Sequence, residues 1–94
     1  MHPPVLLLIS TDPHARLLLE QALDHRRATI LAATTTEAGL RILKDQADLA
    51  LVVCDESQGR IASQVILSQA RRIAQNLPVI ILGTDGSEIG RAHV

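Results

Sequence analysis

Four short apolar runs recur along the chain, at Val5 to Ile9, Ala28 to Ala33, Leu49 to Cys54 and Val79 to Leu82, and a segment with helical spacing lies between each pair. The runs are close to continuous and do not alternate. A strand with one buried face alternates apolar and polar residues, whereas a strand covered on both faces does not. The connections between the runs are too long for hairpins, so successive strands are expected to run parallel through right-handed βαβ units. The predicted order is strand, helix, strand, helix, strand, helix, strand, in one parallel sheet with helices on both faces.

The helix boundaries have local causes. Asp12 followed by Pro13 supplies a side-chain acceptor for orphan amides and then a residue whose missing N–H costs nothing, which predicts a first helix from there to about Arg26. Ala15, Leu19, Ala22 and Leu23 repeat along its apolar side, with Arg16, Glu20 and Asp24 on the wetter one. In "TTTE", Thr34 and Glu37 have the spacing of a capping box, and Thr36 is a competing cap. The second helix is predicted to continue through Leu40, Leu43 and Ala47. A third is predicted over Ile61 to Gln75, with Ile66, Ala70 and Ile73 on one face, before Pro78 introduces the fourth strand.

The bulk numbers exclude several function classes. At 94 residues, the chain is one small domain or part of one, and 47% hydrophobic with 20% charged residues is a globular composition. A formal net charge of -1 gives no sequence-wide reason to expect nucleic acid or an anionic membrane as partner. The absence of Phe, Trp and Tyr removes stacking platforms for single strands. A single cysteine, Cys54, forms neither an internal disulfide nor a multi-cysteine zinc site, which fits a reducing cytoplasm. Val5 to Ile9 is too short for a signal peptide core or a membrane span. His14, His25 and His93 are expected at the surface and His2 ahead of the fold, without partners at metal spacing.

In an open parallel sheet, ligands bind beyond the carboxyl ends of the strands. That rule selects Ser10, Thr11, Asp12, Asp55, Glu56, Gly83, Thr84 and Asp85. Asp12 is expected as a helix cap, Glu56 as solvated, and Cys54 as a small buried strand residue. Ser10 and Thr11 are expected as turn residues, since no His and Asp partners are evident for a nucleophile. Arg26, Arg27, Arg71 and Arg72 read as solvated helix charges. A nucleotide-binding α/β enzyme would need a glycine-rich phosphate loop after strand one or three, and the chain has none.

Four segments, taken in order, resemble the response-regulator receiver family. "VLLLISTDPHARLLLEQAL" is similar to the family's first strand, acidic turn, proline and helix, and "ILAATTTEAGLRIL" to its second strand and helix. "ADLALVVCDESQGR" puts Asp55 where the family has its phosphorylated aspartate, and "LPVIILGT" is like its fourth strand. The resemblance covers residues 5 to 85. It implies a flavodoxin-like three-layer αβα fold with a parallel sheet, incomplete after strand four. It also implies a cytoplasmic, non-enzymatic module of a bacterial phosphorelay. Such a module accepts a phosphoryl group on Asp55 from a histidine kinase or phosphotransfer protein and signals to a downstream output domain, without direct nucleic-acid or membrane contact.

Receivers hold Mg²⁺ between the acceptor and an acidic pair after strand one, so that the cation neutralises the incoming phosphoryl group. Here that pair falls on Ser10 and Thr11. The implied Mg²⁺ site is reduced to Asp55 and Asp12, one step along, and is therefore weakened. The family's strand-four hydroxyl aligns with Gly83, leaving Thr84 as the displaced candidate for a phosphoryl contact. The loop after the acceptor reads "ESQGR" where the family has Met-Pro-Gly. These departures carry the alternative reading, a pseudo-receiver that works as a phosphorylation-independent interaction module.

The closing "EIGRAHV" does not resemble the start of receiver helix four. Its last residues are what ATC GGA AGA GCA CAC GTC encodes, a common sequencing-library adapter. Residues 1–87 are accordingly expected as the receiver-like domain, lacking helix four, strand five and helix five, and residues 88–94 as a non-native tail. A natural short tail is the alternative. Without those elements, strand four is expected to be an exposed edge and the fragment poorly soluble.

Overall fold

The computed structural model describes residues 3–23, 27–82 and 88–92. Its elements are β1 (Val5–Ile9), α1 (Pro13–Ala22), β2 (Thr29–Ala33), α2 (Thr36–Asp45), β3 (Leu49–Asp55), α3 (Arg60–Ile73), β4 (Val79–Leu82) and β5 (Glu88–Ala92). The sheet order is β2-β1-β3-β4-β5, and the first four strands are parallel. This is the flavodoxin-like arrangement expected, with β1 and β3 at the centre. β5 pairs antiparallel with β4, so β4 is not the exposed edge expected of it.

Both sides of the sheet are apolar, which explains the continuous runs. Leu7 and Ile9 of β1, Val52 and Cys54 of β3 and Val79 of β4 pack with Leu43 of α2 and with Ile66 and Ala70 of α3. On the other face, Leu6, Leu8, Ile30 and Val53 meet Ala15, Leu19 and Leu23. Gly39 allows α2 to lie close on β1, since a Cβ there would stand 2.5 Å from Ile9 Cδ1.

Several local expectations need correction. α1 ends at Ala22, short of the expected Arg26, and Leu23 takes extended backbone while its N–H still reaches Leu19 O. α2 begins at Thr36, and its cap is Thr35, whose hydroxyl accepts from Ala38 N at 3.1 Å. Three consecutive threonines offer the same acceptor, and the point where the chain leaves β2 decides among them. Ala47 lies in the turn after α2, outside the helix. α3 runs one residue earlier at its start and stops at Ile73, which is 43% exposed and off the buried face. Asp55 extends β3 by one residue through pairing with Leu82.

Candidate functional site

The carboxyl edge of the sheet gathers the turns after β1 and β3. Ser10 leaves β1 buried, at 5% exposure, because its N–H still bonds to Ala33 O of β2. Asp12 then caps α1, accepting from His14 N at 2.9 Å just ahead of Pro13. At the end of β3, Asp55 is half-buried, and the next residue stays tied to the sheet through Glu56 N donating to Leu82 O at 3.1 Å. Gly59, at φ 102°, turns the chain into α3, a backbone region that disfavours any side chain.

Both oxygens of the Asp55 carboxylate are held by serines. The Ser10 hydroxyl donates to Oδ2 and accepts from Asp12 N at 3.0 Å. The Ser57 hydroxyl donates to Oδ1 at 2.5 Å and accepts from Thr11 N at 3.1 Å, while Ser57 N donates to the same Oδ1 at 3.1 Å. Each serine therefore relays a backbone N–H of the first turn to one oxygen of the carboxylate. Neutral donors supply here what a cation would otherwise supply, and a lone pair committed to an O–H is less available to a metal.

The expected site residues thus separate. Ser10, Thr11 and Asp55 come together, Thr11 through its backbone alone. Asp12 joins the network by its N–H, and its carboxylate serves the helix start and lies 3.4 Å from His14 Nδ1. Glu56, expected to be solvated, has a side chain only 14% exposed, 3.8 Å from Arg60. Thr84, Gly83 and Asp85 lie outside the described residues, as do His2, His25 and His93. Among the described residues no three Asp, Glu, His or Cys side chains cluster as metal ligands. This donor set does not fit a hard divalent cation that asks for several free oxygens.

Ser57 was not foreseen. A hydroxyl two residues after a strand-end aspartate, able to bond back to it in a local turn, is the signal that could have found it. Below the site, Ser63 donates to Asp55 O and Gly59 O, both at 3.4 Å, and anchors the first turn of α3 under β3. Cys54 is buried as expected, and burial pushes its thiol pKa up, opposed by its hydrogen bond with Ser63 and assisted by the charges of Asp55 and Glu56. Such a thiol is unreactive at neutral pH.

No family model and no curated protein matches the chain. Solved structures do. The chain is similar to a response regulator receiver domain protein of Clostridium thermocellum, at TM-score 0.73 and 22% identity over 85% of this chain and 64% of that one. A response regulator of Thermotoga maritima aligns at TM-score 0.73 and 16% identity, over 87% and 67%. A receiver protein of Sinorhizobium medicae WSM419 aligns at TM-score 0.73 and 23% identity, again over 87% and 67%.

The fold is the receiver fold.

The chain spans just under two thirds of the first of these relatives. Within the receiver fold Asp55 stands at the end of the third parallel strand, which lies between β1 and β4. No helix among the described residues is long and apolar enough to cross a membrane.

Proposed function

We propose that this chain is a cytoplasmic receiver-fold signalling module that works by protein contact, with Asp55 as a structural acceptor. The observation that carries this reading is the pair of serine relays that occupies both oxygens of Asp55. A phosphoacceptor carboxylate needs a free oxygen aligned for in-line attack and a cation beside it. Here the attacking oxygens are engaged, and Ser10 and Thr11 stand where the carboxylates for the cation would be.

The experiment is intact-mass spectrometry of the full chain after incubation with Mg²⁺ and acetyl phosphate. The expected result is no phosphoryl adduct. An adduct that Asp55→Asn abolishes would overturn the reading.

The second reading is a phosphorelay receiver that takes a phosphoryl group on Asp55 from a histidine kinase and signals to an output domain. Its support is the place of Asp55 on the carboxyl edge, where open parallel sheets carry chemistry. It requires Mg²⁺ on Asp55 and Asp12 and assigns Thr84 to the phosphoryl group. The Ser10→Asp, Thr11→Asp double variant separates the readings: gain of Mg²⁺ affinity in the variant alone supports the contact module, and equal affinity in the parent chain supports the relay.

A further inference from the structure

We propose that the outer face of α3 is a docking surface for an acidic amphipathic helix of a partner protein. The charge distribution is the first reason. Three of the nine basic residues, and none of the ten acidic ones, fall between Ser57 and Thr84, which leaves six against ten in the rest of the chain. All three, Arg60, Arg71 and Arg72, are on α3, and all are exposed. No acidic residue lies between them along the chain.

The second reason is the apolar ridge between them. Ile61 is 79% exposed, the most of any large hydrophobic side chain described, and Val65 is 39% exposed. With Ser68 and Arg72 they follow the helical repeat along the side opposite the buried Ser63, Ile66 and Ala70. Gln64 and Ser68 fill the rest of that face without charge.

Local helix physics does not account for the pattern. Arg71 and Arg72 suit the negative end of the helix dipole, but Arg60 stands at the positive end, where a cation is disfavoured. Its ion pair with Glu56, at 3.8 Å, leaves the Arg60 side chain 77% exposed. Ile61 is β-branched and solvated, which favours neither the helix nor solubility.

An apolar ridge that ends in Arg72 and has Arg60 and Arg71 along one side complements a helix with leucines along one face and carboxylates beside them. Two exposed apolar side chains are too few to seat a helix in a bilayer, and the chain lacks aromatics for stacking on bases.

The proposal extends the contact-module reading, yet the two fail separately, because the α3 face does not include Asp55. The test is fluorescence anisotropy of a labelled synthetic helix with Leu along one face and Glu bordering that face, titrated with the full chain at low and physiological salt. Its Lys counterpart, phosphatidylserine vesicles and duplex DNA serve as competing probes. Saturable binding of the Leu/Glu helix is expected, weakened about tenfold or more by Arg71→Glu with Arg72→Glu and by rising salt. Ile61→Ser should weaken it several-fold, with circular dichroism unchanged for every variant. No saturable binding, equal binding of the Lys helix, unchanged binding by the folded variants, or preference for vesicles or DNA would overturn the proposal. A phosphoryl adduct on Asp55 would leave it standing.

Discussion

The two faces of the sheet are built from the same four parallel strands and are finished differently. On one, α2 and α3 close over β1, β3 and β4, and Leu7, Leu43, Val52 and Ile66 reach 0% exposure. On the other, α1 is the only helix among the described residues and has no buried residue; Leu17 and Leu18 are 51% and 63% exposed. Beside it an apolar groove of about 270 Å³ runs along Leu8, Ala15, Leu18, Leu19, Ala22, Val53 and Leu82. A helix therefore contributes stability according to whether a second helix seals its flank, and apolar content alone does not secure burial.

The contrast can be broken by substitution. Ile66→Ala on the sealed face is expected to cost roughly 2 to 5 kcal/mol, because a fully enclosed site relaxes little, and urea unfolding measures it. Gly39→Ala is expected to cost about 1 kcal/mol net, since overpacking against Ile9 outweighs the gain in helix propensity. The same denaturation series checks it, and a stabilised variant would mean that α2 rides loosely on β1.

Cys54 sharpens the comparison from within. Its thiol should resist iodoacetamide at neutral pH in the folded chain and react fully in denaturant. Because folding raises this pKa, the unfolded thiol ionises first as pH climbs. The protonated thiol's contribution is therefore intact below the ordinary thiol value and is lost as pH rises through the folded one, a decline visible above about pH 8.5 in thermal melts. The smallest effect is expected on the open face. Leu18→Ser should change stability by no more than about 0.5 kcal/mol while raising the concentration at which light scattering begins.

Much of the fold was legible because a strand buried on both sides writes a continuous apolar run. The bounds of β1 and β4 follow from that pattern, and Asp12 with Pro13 marked the start of α1 through a local mechanism. Thr35 was not legible, since each of three adjacent threonines satisfies the same rule. The exposure of α1 was not legible either. Its spacing describes the stripe of Ala15, Leu19, Ala22 and Leu23, and only tertiary structure reveals that Leu17 and Leu18 beside it stay exposed among the described residues.

The site was legible by position and not by partners. Strand order brings Ser10, Asp12 and Asp55 to one edge, which the sequence pattern could anticipate. That Ser10 and Ser57 each clasp one oxygen of Asp55 depends on side-chain placement across a turn, where the sequence offered only "ESQGR". The burial of Glu56 has the same origin: its N–H is fixed to Leu82, which draws a charged side chain inward beside Arg60.

The strand order also gives the central strand partners at two different separations along the chain. Ile9 pairs with Ala33 on one side and with Cys54 on the other, so completing β1 needs both the shorter and the longer connection closed. Closing the longer connection, nearly twice the shorter, adds only about 0.6 kcal/mol of entropy. Its cost must nevertheless be met before the core on the sealed face returns anything. Until β3 arrives, a pair of β1 and β2 is open on both edges, and β3 later covers the β1 edge. A chain in which β1 pairs with β2 before β3 is in place leaves its most apolar segments exposed, and the time β3 takes to close on β1 sets the length of that exposure.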